Sequence, residues 1–558
     1  MDHDTPPQTT PLQLLVCCDG TNNNLTGRQR DTNVVKLCEL LAQAPDARRV
    51  LFYDPGVGNP AELPGATIAD SLKRRSERMA GLAFGQGVYE NIAECYRFLM
   101  RAYPPGLADG EPPPQIFLLG FSRGAFTARA VAGLVNQFGL LQPQLDTMVT
   151  TLVHAYFSQR QEGDDRLKAI ANQLRTLFGT PATRRVPVQF VGVWDTVAAV
   201  GMPPFTTGFT AEPRAAGKAF VHVRQALALD EQRAQFKARA YLEDNGPFRT
   251  EFGTEGSLQQ LWFRGAHCDV GGGYTTPEAA LSGQALAWLV SEAVRCGLRL
   301  TSPQGQPLDT PEAVSAALVQ ALPGEGTPRP RRIHSESWAT PLWALSGLAV
   351  RPTDGPAQEH PSVAHPPLHA PADTVWAQAR PGRGVLLAAV LALPLLFLWM
   401  GWLLSGHSPQ PVHWLTAPLY FAHWQLAAVL DLGALAPIRF NAVPWAVLAD
   451  LPFIAAYAYV LAWFCTQGFA RLAGLRRGGQ SAPVWLNRLG WALPVAVGAD
   501  LLEDACTLGC WWLVRAGHEP WAWLLSLPMA AAALVKLGAL VAATALALAA
   551  WAPWRRAD

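Results

Sequence analysis

A serine stands between two glycines in Gly120-Phe-Ser-Arg-Gly124, after the apolar run 115–119 (QIFLL) and ahead of a stretch, 125–138, with helical spacing. A serine on such a strand-to-helix turn sits on strained backbone. Glycines two residues to either side let neighbouring segments come close, and the helix points its positive N-terminus at the hydroxyl. The chemistry this suits is nucleophilic attack on an acyl carbon, with Ser122 as the nucleophile. Such a serine needs a base, and the base needs an orienting carboxylate, arriving in the chain order serine, acid, histidine.

The run 186–193 ends in Val193-Trp-Asp-Thr-Val197, which places Asp195 at a strand's carboxyl end. The run 258–263 ends in Arg264-Gly-Ala-His-Cys-Asp, which places His267 just past another. Other histidines lack that position: His154 lies in a helical stretch, His222 precedes an amphipathic one, and His334, His360, His365 and His369 fall in a Pro-rich segment. Asp195 is therefore expected to orient His267, with Asp269 as the rival carboxylate. The first run, 13–18 (QLLVCC), opens into Asp19-Gly-Thr-Asn, where a second oxyanion donor is expected from the backbone N–H of Gly20 or Thr21, beside that of Arg123. Asp19 and Asp269 are expected to support the site from behind. The glycines 271–273 lack dinucleotide-loop spacing and are expected to let backbone pack closely. No metal or cofactor is expected.

Five short apolar runs (13–18, 49–53, 115–119, 186–193 and 258–263) alternate with helical stretches such as 33–41 and 87–101. That alternation predicts a doubly wound, mostly parallel α/β sheet, with its site at the carboxyl ends of the strands.

The 558 residues carry 44 basic and 43 acidic side chains, so nothing in the charge balance points to a nucleic-acid partner. The nine cysteines have no pairing pattern, and Cys506 and Cys510 on one helix face read as small buried apolar residues. The first eleven residues lack the basic start and apolar core of a secretory signal peptide.

The blocks CCDGTNNN, TNVVKL, YDPGVG, GFSRGAFTARAVAGL, GVWDTV, ALALDE and GAHCDVGGGY together resemble a family of α/β hydrolases that includes the first class of type VI secretion lipase effectors. The resemblance covers residues 12–300. It implies a phospholipase A-type esterase whose serine, aspartate and histidine fall on Ser122, Asp195 and His267. It also implies membrane lipids as substrate, and an immunity protein or a part of the secretion apparatus as partner.

Residues 303–383 hold 14 prolines and are expected to form a partly ordered linker between a catalytic domain, 1–302, and a membrane domain, 384–558. The last 175 residues carry only 16 charges but 14 of the 20 tryptophans. Four spans are expected at 384–404, 451–469, 489–514 and 521–551, while 414–436 reads as interfacial because it carries His423, Gln425 and Asp431. Arg380, Arg383, Arg471, Arg476, Arg477, Arg488, Arg555 and Arg556 then lie on one side, against Arg439 and Arg515 on the other. That asymmetry places the hydrolase, the middle loop and the C-terminus on the cytoplasmic side, and the membrane expected is a bacterial inner membrane. Asp500, Glu503 and Asp504 share one face of the third span, with Lys536 in the fourth at nearly the depth of Glu503, so a contact of Glu503 or Asp500 with Lys536 is expected, with an ion or proton path as the functional alternative. The leading expectation is a membrane-anchored lipid esterase. The alternatives are a pore or transporter with a regulatory hydrolase domain, and a tethered esterase or thioesterase for soluble substrates.

Overall fold

A computed structural model of the chain describes residues 10–20, 31–56, 86–108, 111–158, 165–197, 214–274, 279–302, 304–321, 333–334, 341–353, 355–363, 383–405, 437–474 and 484–549. Two compact units divide it. The first takes in Met1–Glu231, Phe236–His334 and Thr353–His369, and the second Gln232–Gln235, Ser335–Pro352 and Ala370–Asp558.

The first unit begins with β1 (Gln13–Cys18), α1 (Asn33–Gln43), β2 (Arg49–Asp54), α2 (Gln86–Ala102), β3 (Gln115–Phe121), α3 (Arg123–Phe138), α4 (Val149–Ser158), α5 (Asp165–Phe178) and β4 (Val188–Trp194). It continues through β5 (Phe220–Ala228), β6 (Gly246–Arg249), β7 (Glu255–Phe263), α6 (His267–Gly271), α7 (Ala280–Arg295), α8 (Pro311–Ala321) and β8 (Gln358–Glu359). The strands lie in the order β2-β1-β3-β4-β5-β7-β6, with β8 also on β7. All pairings are parallel except that of β6 with β7.

A parallel sheet needs crossover helices, and these cover both faces. Leu14, Val16 and Leu118 pack with Ile92 and Tyr96 of α2 and Val131 of α3 on one face. Leu15, Phe117 and Phe190 pack with Leu37 of α1 and Leu289 of α7 on the other. With both faces dry, β1 and β3 become continuous apolar runs, which made them readable as strands. The result is a layered α/β unit.

Two elements depart from the expected pattern. His222 does not precede a helix but lies inside β5, between β4 and β7. Its polar residues have distant partners: His222 Nδ1 lies 2.9 Å from Ser257 Oγ, and Arg224 Nε donates to Glu292 Oε2 at 2.7 Å. Part of the expected linker is likewise core, because Leu308, Val314 and Ala317, in and before α8, are buried with α1 and α7.

The second unit contains α9 (Arg383–Ser405), α10 (Pro437–Gly474), α11 (Val484–Leu489), α12 (Ala492–Arg515) and α13 (Glu519–Leu548). A tight turn through Gly517, whose φ is 78°, returns α13 along α12. The stretch 341–350 is tied in by Leu348 N–H to Gly490 O (3.0 Å), and Gln232 by Ala349 N–H to its carbonyl (2.9 Å).

Two helical segments, Val443–Ala473 and Pro520–Leu548, are long and apolar enough to cross a membrane, and Gly384–Trp399 is a shorter apolar one. In the most apolar 18-residue window of each, only 39% and 28% of the residues are buried, so apolar side chains are exposed along both. Leu502, Trp512, Leu524, Leu534 and Val541 point outward, while Asp500, Glu503 and Asp504 point inward. The stretch 414–436 and Arg555–Arg556 lie outside the described residues.

Candidate active site

Strand β3 ends at Phe121 and helix α3 starts at Arg123, so Ser122 alone makes the turn. Its φ is 59° and ψ −121°, a backbone a serine holds at a cost of order 1–3 kcal/mol. The flanking glycines are required by contact: a Cβ on Gly120 would lie 2.4 Å from Gly124 O, and one on Gly124 2.2 Å from Cys18 O. Both distances are far inside van der Waals contact, so only glycine lets α3 sit against the end of β1.

Asp195 is the residue after β4 and is fully buried, again with a positive φ, 38°. Its Oδ1 accepts the Ala228 N–H at 2.9 Å. Oδ2 lies 2.6 Å from His267 Nδ1, and His267 Nε2 lies 2.8 Å from Ser122 Oγ. A neutral imidazole donating from Nδ1 to Asp195 is left with Nε2 as an acceptor for the serine hydroxyl. The ring is only 4% exposed, tilted over Phe121 at 4.6 Å and met edge-on by Phe236 at 5.1 Å. Glu231 Oε2 accepts the His267 backbone N–H at 3.2 Å. Ser122 itself is half-buried and reachable.

Of the expected oxyanion donors, Arg123 opens α3, where the first N–H groups of a helix have no intrahelical acceptor. The Gly20 N–H is turned to Asp19 Oδ1 at 2.6 Å, and Thr21 lies outside the described residues. Asp19 is a buried hub. Its Oδ2 accepts from Thr32 Oγ1 and from Tyr53 OH, each at 2.9 Å. Burial first, and then the Asp19 charge, push the Tyr53 phenol up, so it remains a donor. Glycines 271 and 272 do pack closely: a Cβ on Gly271 would enter the Phe121 ring, and one on Gly272 would lie 2.6 Å from Asn33 N.

The Asp269 carboxylate is hydrogen-bonded to Ala266 and His334, while His267 Nδ1 is met by Asp195. Asp269 Oδ2 accepts the Ala266 N–H, and Asp269 Oδ1 lies 2.6 Å from His334 Nδ1. The Tyr274 ring stacks on His334 at 3.9 Å. Burial raises the Asp269 carboxyl, and the His334 contacts pull it back down. Sequence reasoning missed His334, Glu231 and Phe236. Glu231 ends the quoted ALALDE block, a signal present but unused, whereas His334 is 65 residues from Asp269 and carries no local sign.

Cys18, Asp54 and Cys95 offer ligand atoms within 4.8 Å of one another. As they stand they suit a packed core better than a metal. Asp54 already accepts Asn91 Nδ2 at both oxygens, and the Cys95 side chain and burial hold the Cys18 thiol well above its ordinary value.

The family model described as T6SS, phospholipase effector Tle1-like, catalytic domain matches residues 13–292. A protein of Saccharomyces cerevisiae described as uncharacterized protein YEL023C is 29% identical over 231 residues, 40% of this chain and 32% of that protein. The chain thus matches about a third of that relative's length. A crystal structure of an uncharacterized protein from Pseudomonas aeruginosa is similar at 17% identity and a TM-score of 0.30, covering 88% of this chain and 67% of that one.

Proposed function

We propose, from the premise that the chain belongs to the type VI secretion Tle1-like phospholipase effector family, that it is a serine esterase cleaving the carboxylic esters of membrane phospholipids. The observation that carries this reading is the pair of hydrogen bonds linking Ser122, His267 and Asp195 in a buried row with a reachable serine. His267 Nε2 takes the Oγ proton as Oγ attacks the ester carbonyl, and Asp195 steadies the imidazolium that forms. The Arg123 N–H, at the positive end of α3, faces the oxyanion. Collapse of the tetrahedral intermediate expels the lysophospholipid alkoxide, which takes its proton from His267 Nε2. Water, deprotonated by the same nitrogen, then attacks the acyl-serine and releases the fatty acid. The sheet in this reading is an α/β-hydrolase sheet, with 1–302 as its main body.

The helices of the second unit are read as a multi-pass bacterial inner-membrane anchor with the hydrolase on the cytoplasmic side. Support comes from the two long apolar segments, their outward leucines and the arginine asymmetry. Tethering an esterase to a bilayer raises the lipid concentration it meets. An immunity protein or secretion component as partner follows from the family alone.

The test is a fluorophosphonate probe together with fatty-acid release from phosphatidylethanolamine vesicles. Wild type should label and release acid, and Ser122→Ala should do neither. Equal labelling of both would overturn the assignment.

A further inference from the structure

His267 opens α6 directly after the turn that leaves β7, and three successive backbone N–H groups there end on carboxylates. The Gly265 N–H donates to Asp230 Oδ2 at 2.7 Å, the Ala266 N–H to Asp269 Oδ2 at 2.9 Å, and the His267 N–H to Glu231 Oε2 at 3.2 Å. Asp269 belongs to α6 itself. Asp230 and Glu231 come from elsewhere, as the second and third residues beyond β5.

Strands β5 and β7 pair in parallel up to the rung of Ala228 and Phe263. Past that rung the two chains stay fastened: the Leu229 N–H donates to Phe263 O and the Asp230 N–H to Gly265 O, each at 2.9 Å. Asp230 returns the bond through its side chain, with Arg264 Nε 3.1 Å from the same Oδ2. Gly265 allows this bend with a φ of 109°, and a Cβ there would lie 2.2 Å from Asp269 Cβ. The same strand end also holds the acid. Asp195 Oδ1 accepts the Ala228 N–H at 2.9 Å, and the Asp195 N–H donates to Ala226 O at 2.8 Å. Strand β5 contributes no member of the row Ser122, His267, Asp195, yet acid and base are both fixed to its end.

Asp195 steadies the imidazole at Nδ1, and Phe121 and Phe236 bound its plane. Those contacts act on the ring, and the backbone from which the ring hangs needs a fixture of its own. Glu231, 2% exposed, holds the one backbone N–H that belongs to the base. A carboxylate buried that far costs more desolvation than a carbonyl in the same place. What it adds is a stronger, charge-assisted bond at the open end of a helix. Such a bond suits a group whose displacement by about 1 Å slows a reaction about 100-fold.

We propose that Glu231 is a positioning residue for His267: through the backbone N–H it keeps Nε2 within hydrogen-bond reach of Ser122 Oγ. It touches neither substrate nor the reacting atoms, and Asp230 assists by tying Gly265 two residues earlier. This role rests on the esterase reading of the row.

The test uses the full chain in detergent micelles and compares wild type, Glu231→Ala, Glu231→Gln and Ser122→Ala. The rate constant for fluorophosphonate labelling is measured beside kcat and KM on phosphatidylethanolamine in mixed micelles. All rates are taken below each variant's unfolding midpoint and referred to folded protein. Glu231→Ala should label about 10–100-fold more slowly and lose kcat by a similar factor, with KM nearly unchanged. Glu231→Gln keeps an acceptor oxygen for the His267 N–H and should stay within about threefold of wild type. A Glu231→Ala protein that is less stable but labels at the wild-type rate while folded would overturn the proposal. So would a Glu231→Gln protein as slow as Glu231→Ala. Labelling that needs Ser122 but ignores Glu231 overturns the positioning role alone, whereas equal labelling of wild type and Ser122→Ala overturns the esterase reading and this role with it.

Discussion

Ser122 and Asp195 leave adjacent parallel strands at the same rung: Phe121 pairs with Trp194, and the next residue of each strand turns into the site. They are also the two non-glycine residues with positive φ among the described residues, at 59° and 38°. The Ser122 N–H holds the Trp194 carbonyl at 3.1 Å, so the two turns are braced against each other. Strained backbone of this kind persists only where surroundings over-determine it, and here both sites of strain face one imidazole.

Asp195 and Asp269 should separate cleanly in turnover. Asp195→Asn is expected to lower kcat on the order of 10⁴-fold, since the imidazole loses the partner that fixes its tautomer. Asp269→Asn, which disturbs the His334 and Ala266 bonds instead, should keep turnover within about tenfold of wild type and lower stability by about 1–3 kcal/mol. Steady-state kinetics beside chemical unfolding would decide it. An inactive Asp269→Asn with an active Asp195→Asn reverses the roles.

Gly124→Ala should destabilise by more than about 3 kcal/mol, because its Cβ meets the Cys18 and Asp19 carbonyls at 2.2 and 2.4 Å. Gly283, near the start of α7, has nothing within 4 Å of an added Cβ. Gly283→Ala should be neutral or stabilising by up to about 1 kcal/mol, as alanine suits a helix better. Unfolding midpoints of both variants beside wild type provide the comparison. A tolerated Gly124→Ala would mean that α3 can slide off β1.

Asp54 supplies a pH signature. Burial pushes its carboxyl from 3.8 up to about 6 in the folded chain. The folded state then holds the proton more tightly than the unfolded one, so this contribution is full below about pH 4 and is lost as pH rises to 6. The loss is on the order of 3 kcal/mol at 1.36 kcal/mol per unit. Asp54→Asn should remove that slope while leaving the slopes of other groups in place. Denaturant titrations at pH 4.5 and pH 7 test it, and identical slopes in both proteins would count against a neutral Asp54.

Membrane topology can be read by cysteine labelling in a cysteine-free background. A cysteine at Gly517 should react with an impermeant reagent from the outer face, and one at Gly479 should not, as the arginine asymmetry requires. Labelling at Gly479 from outside would invert the proposed orientation.

Much of the sheet was legible because burial on both faces leaves β1 and β3 as unbroken apolar runs with glycine or aspartate at their ends. Strand β5 was not, since His222, Arg224 and Gln225 break its apolar pattern in mid-sheet, and the Ser257 and Glu292 that satisfy two of them are far along the chain. The row Ser122, Asp195, His267 followed from a positional rule, that α/β sheets present side chains at strand ends. The Asp269–His334 contact followed no such rule. It joins a strand-end turn to a proline-rich stretch whose composition suggests an extended chain. Local pattern reports what an element needs, and it is silent on which distant side chain answers that need.

The hub at Asp19 ties the turn after β1 to Thr32 at the start of α1 and to Tyr53 near the end of β2, so three segments are fastened before any substrate arrives. Anchorage of that kind separates reactivity from selectivity. The long connections that leave these fastened ends can change in length and character without moving the atoms that react.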